Sequence, residues 1–102
     1  MNELLWLQDY YASCCNEDWE HQYGVHIGTL DNPGWKLRID LYDTTLAQMS
    51  LDKIKVENSE TDWFVCWIRN NSFEGRGGAN NLTDLIRVFR ESIERFEKIS
   101  PP

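Results

Sequence analysis

Glu20 and His21 stand side by side with Asp18 just before them, and a carboxylate beside an imidazole is the pairing that general acid–base hydrolysis uses. Against that use, sequence neighbours point apart in an extended chain, and no Ser, Cys or Lys stands in a recognisable nucleophile setting. Cys14, Cys15, His21, His26 and Cys66 are metal-ligand types. They do not fall into the closely coupled Cys and His pairs of a structural zinc site, and five positions along a strand put His21 and His26 on opposite faces. Cys14 and Cys66 read better as small hydrophobes facing a core. The run Gly75-Arg76-Gly77-Gly78 precedes a helix start, as an anion cradle would, but no Lys-Ser/Thr pair follows and Glu74 repels phosphate. It reads as a tight loop that folds the helix back onto a sheet. These residue types therefore argue for no catalytic residue, no metal and no cofactor.

The elements that would position them follow from periodicity. Asn2 can cap a first helix running to about Cys15, with Leu4, Leu7, Tyr11 and Cys14 sharing one face and Trp6 and Tyr10 flanking it. After the acidic connector Asn16-Glu17-Asp18, a strand over residues 23–30 feeds a turn. Pro33-Gly34 suits the central pair of a type II turn, because Pro fixes φ and Gly accepts a positive φ. The return strand alternates, with Trp35, Leu37, Ile39 and Leu41 on one face and Lys36, Arg38, Asp40 and Tyr42 on the other. A third strand covers residues 51–57. A fourth, Trp63-Phe64-Val65-Cys66-Trp67-Ile68, is apolar on both faces, as in a strand covered on both sides or partly offered to a partner. Leu82, Leu85, Ile86, Phe89, Ile93 and Phe96 then form the stripe of an amphipathic helix that starts at Asn81 and stops at Pro101-Pro102. The expectation is a single α+β domain over residues 1–102. In it an N-terminal helix, a four-stranded, mainly antiparallel meander and a C-terminal amphipathic helix pack together.

Ten basic residues face seventeen acids, a formal charge of −7. Residues 82–102 hold four of each sign, so the whole excess lies earlier, and no Lys or Arg precedes Lys36. Such an N-terminal third repels nucleic acid and anionic membrane and suits a basic protein partner, although plain solubility accounts for the charge alone more simply. Three cysteines are an odd number, and adjacent Cys14 and Cys15 are poorly placed to bridge one another, so reduced thiols in a cytoplasm are the simplest reading. The start of the chain offers no positive leader, and no apolar run approaches membrane-spanning length, which agrees with a cytoplasmic protein.

Trp19-Glu20-His21 with Tyr23-Gly24, Thr29-Leu30-Asp31-Asn32-Pro33-Gly34-Trp35, Asp62-Trp63, and Phe73 with Gly75, Gly77 and Gly78 follow one another along the chain. With Asn81-Leu82 and Phe89, that order resembles the immunity protein 53 family, small bacterial proteins carried beside polymorphic toxins. The resemblance implies a non-catalytic immunity protein that binds and neutralises a cognate toxin. The family does not supply a residue-level mechanism.

Three segments look exposed and suit an inhibitor surface: the connector with Asp18, Trp19, Glu20 and His21, the turn with Asp31 and Asn32, and the loop with Phe73 and Glu74. Glu20 suits equally a buried structural acid that accepts backbone amides. A nuclease is the target class in which such carboxylates could take the places of substrate phosphates. Two other functions compete, a generic protein-interaction module and a small hydrolase using Glu20 and His21. A homodimer through the apolar fourth strand is also open.

Overall fold

The computed structural model describes residues 2–99. Pro101 and Pro102, expected to stop the last helix, lie outside the described residues. The elements run α1 (Glu3–Cys14), α2 (Trp19–Gln22), β1 (Val25–Leu30), β2 (Gly34–Asp40), β3 (Leu51–Glu57), β4 (Trp63–Arg69), β5 (Ser72–Gly77) and α3 (Leu82–Ile99). The class is α+β, with one five-stranded antiparallel sheet in the order β1-β2-β5-β4-β3.

The fifth strand lies where a glycine-rich loop was expected, and it turns the meander into a sheet whose third neighbour comes last in sequence. Glycine weakens a strand interior, yet Gly75 and Gly77 both lie on the buried face of β5. A Cβ on Gly75 would stand 3.2 Å from the Leu85 side chain and 3.5 Å from the Cys66 thiol, so its absence lets α3 press close to the sheet. Asn70 and Asn71, both at positive φ (55° and 61°), make the two-residue hairpin between β4 and β5, a conformation Asn tolerates better than most residues.

Pro33-Gly34 is not the central pair of a type II turn. Residues 31–33 form the turn, Gly34 already pairs with Leu30 as the first residue of β2, and no glycine has a positive φ. Gly34 is glycine for another reason: a Cβ there would run into the Gly77 carbonyl of the neighbouring β5.

Both long helices serve one face of the sheet. Leu37, Ile39, Phe64, Cys66, Ile68 and Phe73 rise from that face to meet Leu85, Ile86, Phe89 and Ile93 of α3. Phe89 is the hub, with ring centroids 5.0 Å from Phe73, 5.1 Å from Tyr10 and 5.9 Å from Trp6. Helix α1 is capped as expected, Leu5 N donating to the Asn2 side chain at 3.0 Å. Its buried face is turned from the expected one. Trp6, Leu7 and Tyr10 pack inward, whereas Leu4 is 59% exposed and Tyr11 39%. Glu3 explains the rotation, because its carboxylate lies buried against Arg90 of α3 and sets which way α1 faces.

Candidate interaction surfaces

Two surfaces of opposite charge stand out among the described residues. The first is built where α1 ends. The Asn16 side chain accepts the amides of Asp18 and Trp19 at 3.0 and 2.8 Å, which starts α2. Glu20 returns the favour from within that helix, its carboxylate accepting Asn16 N at 2.9 Å and Glu17 N at 2.8 Å. Hydrogen bonds from backbone amides, its own first and then those of Asn16 and Glu17, hold its carboxyl below the usual carboxylate range. Both oxygens are thus committed to the loop, a poor arrangement for a group meant to shuttle protons.

Trp19 sits beneath this loop, 2% exposed, and its indole N–H donates to the Tyr42 carbonyl at 2.9 Å. Around it lie three tyrosines. Tyr11 and Tyr23 stand 6.1 and 6.4 Å from its ring, and Tyr23 stacks on Tyr42 at 5.2 Å. Tyr42 is 41% exposed, and Glu17, Asp18, His21 and Asp43 are exposed around the same end. The result is a fixed patch of phenol rings and carboxylates.

The second surface is the open face of the sheet. Strand alternation and register put Lys36, Arg38, Lys53, Lys55, Arg69 and Arg76 there, six of the ten fixed cations, with Asp40, Glu57 and Glu74 among them. Trp63, Val65 and Trp67, the outer row of β4, share the face, and Trp67 lies between Lys53 at 5.4 Å and Arg76 at 5.8 Å. A groove of about 380 Å³ runs over β1, β2 and β5 past His26, Gly28, Lys36, Arg38, Glu74 and Arg76.

A model of the immunity protein 53 family matches residues 4–94. The chain belongs to that family. No curated protein and no solved structure matches it significantly. The residues that carry its likeness to immunity protein 53 sequences now have physical roles. Trp19 and Glu20 staple the first loop. Trp35 donates its indole N–H to the Ala79 carbonyl at 2.8 Å, and Gly34 permits contact with β5. Asn81, 3% exposed, donates to Asp62 at 3.0 Å and Asp84 at 2.7 Å and accepts Trp63 N at 3.4 Å, tying the turn before β4 to the start of α3. The bonds from Asn81, and then Asn58, hold the Asp62 carboxyl low.

The expected contact residues are therefore scattered. Asp18 and His21 are exposed at the tyrosine end and Glu20 is half-buried beneath them. Asp31 and Asn32 are exposed at the far end of β1, with the whole strand between them and that end. Glu74 stands on the open face, bonded to Ser72 at 3.1 Å and Arg76 at 3.2 Å. Trp19 and Phe73 are buried: the first is held by the Tyr42 carbonyl and the second packs against Phe89. Tyr11, Tyr23 and Tyr42 are not among the contact residues expected from the sequence, although the alternation that sets Tyr42 opposite Leu37 and Ile39 does place it on the wet face, where it is 41% exposed.

Among the described residues, no group of three or more His, Cys, Asp or Glu is arranged to hold a metal ion, and no helix is long and apolar enough to cross a membrane. Strand β4 has both edges paired, to β5 and β3, so a dimer through it has only the open-face row of Trp63, Val65 and Trp67 to use.

Proposed function

We propose that the chain neutralises one cognate toxin by binding it, without catalysis, and that the acid–tyrosine end makes the contact. One observation carries this reading. Tyr11, Tyr23 and Tyr42 are held in a connected array over the buried Trp19, among the exposed Glu17, Asp18 and Asp43, in a region whose helices and first strand contain no Lys or Arg. Tyrosines supply contact area at little cost in side-chain entropy, and carboxylates around them steer and orient a basic partner. A nuclease fits, since it must present cations to phosphate, and Asp18 and Asp43 would occupy the places of those phosphates. The free thiols of Cys14, Cys15 and Cys66 suit action in the cytoplasm, where such a toxin would reach nucleic acid.

The test is survival of cells that express the toxin-like domain encoded beside this gene, with and without this chain, followed by co-purification. Rescue with a stable complex supports the reading. Rescue without a complex, or turnover of any substrate lost on Glu20→Gln in a folded protein, would replace it with an enzyme.

A further inference from the structure

The two edges of the sheet are treated differently. The β3 edge is interrupted by a register shift between Leu51 and Ile54 and carries Asp52, Lys53, Lys55 and Glu57, the devices that keep strand edges from pairing with other chains. The β1 edge, Val25-His26-Ile27-Gly28-Thr29-Leu30, has no fixed charge, no Pro and unbroken register with β2 along all six residues. Asp40 N donates to the Gly24 carbonyl at 3.1 Å, so Gly24 faces β2, and antiparallel alternation turns the amides and carbonyls of Val25, Ile27 and Thr29 outward. Ile27 is 43% exposed on the helix side of that edge. On the other side Gly28 leaves room for the Lys36 stem, whose Cε lies 3.0 Å from where a Cβ would be, so the stem lies over β1.

We propose that the outer edge of β1 accepts an extended strand of the toxin, which adds a sixth strand to the sheet and sets an apolar side chain on Ile27 and a carboxylate against Lys36. The inference rests on the toxin-binding reading above and extends it, because β1 begins two residues after Tyr23 and so continues the acid–tyrosine end. A second copy of this chain fits the edge less well. Its own β1 has no acid to answer Lys36, and pairing edge to edge would bring a second Lys36 to the same seam.

Hydrogen–deuterium exchange of the wild-type chain, free and with the toxin domain encoded beside the gene, tests this directly. The amides of Val25, Ile27 and Thr29 should exchange fast in the free protein and be protected in the complex. Ile27→Pro and Thr29→Pro each delete an outward N–H that the sheet does not use, so both should fold and bind roughly ten- to a hundredfold more weakly. A complex in which those three amides still exchange fast overturns the edge while leaving toxin binding intact, and it does so even if both proline variants unfold. Protection that grows with concentration of the free chain, with a dimer in light scattering, overturns it in favour of self-pairing. Absence of any complex overturns both readings.

Discussion

Arg90 grips Glu3 through two parallel hydrogen bonds, Nε to Oε2 at 2.9 Å and Nη2 to Oε1 at 3.1 Å, and a third bond holds Arg90 to Glu94 at 3.0 Å. The pair joins the first turn of α1 to the middle of α3, the two helices that cover the same face of the sheet. It therefore governs how α1 is turned, and through α1 where the loop with Trp19 begins.

That clamp gives a pH dependence. Arg90 holds the Glu3 carboxyl below its ordinary value of 4.5, so the charged form is favoured by folding. Its stabilising contribution is complete above that value and is lost as pH falls through the lowered folded one. Glu3→Gln should lower the melting temperature clearly at pH 7, and the gap to wild type should close as both are measured at successively lower pH below 4.5. A gap independent of pH would contradict the ion pair.

Phe89 touches three aromatic neighbours and is fully buried. Phe89→Ala should cost about 3–5 kcal/mol by denaturant titration, a large part of the stability of a small domain.

The glycines separate by what a methyl group would meet. Gly34→Ala drives a Cβ into the Gly77 carbonyl, which is backbone and cannot swing away, and should cost about 1–3 kcal/mol. Gly28→Ala meets only the flexible Lys36 stem and should stay within about 0.5 kcal/mol of wild type. Equal losses at the two positions would contradict the packing described.

Thiol labelling should follow exposure. Cys15 is exposed, whereas burial pushes the Cys66 thiol up to about 12. Cys15 should therefore react with a thiol reagent in the native protein and Cys66 only after denaturant is added.

These elements also mark what the sequence could disclose. The stripe from Leu85 to Ile93 and the alternation of Leu37 and Ile39 specify their buried faces unaided, since each pattern has one period and one solution. Residues 72–77 did not read as a strand because Gly75 trades strand propensity for close packing under α3 and Gly77 for close packing against Asn81 and β4, tertiary reasons that local pattern cannot contain. The Asn70-Asn71 hairpin was readable only in part, as a pair of residues that tolerate positive φ after the apolar run of β4, because the Ser72–Gly77 segment that follows has Phe73 as its one large apolar side chain. In the candidate site, the charges of Asp18 and His21 were read as exposed, but Trp19 and Phe73 could not be told from surface aromatics, because an aromatic beside acids looks the same whether it anchors a partner or its own loop. The cations of the open face escaped notice for a related reason: Lys36, Lys53 and Arg76 come together only once β5 is placed between β2 and β4.

The measurement that bears most directly on the acid–tyrosine end is the affinity of the neighbouring toxin domain for wild type, Asp18→Lys and Tyr42→Ala, with melting temperature as the control for folding. Asp18 makes no side-chain cap, and Tyr42→Ala gives up the stack on Tyr23 but keeps the carbonyl that holds Trp19, so both variants should remain folded. The account predicts at least about tenfold weaker binding for each, with the Asp18→Lys loss shrinking as salt is raised. Wild-type affinity for both variants in a chain that still rescues cells would contradict it and place the contact elsewhere on the molecule.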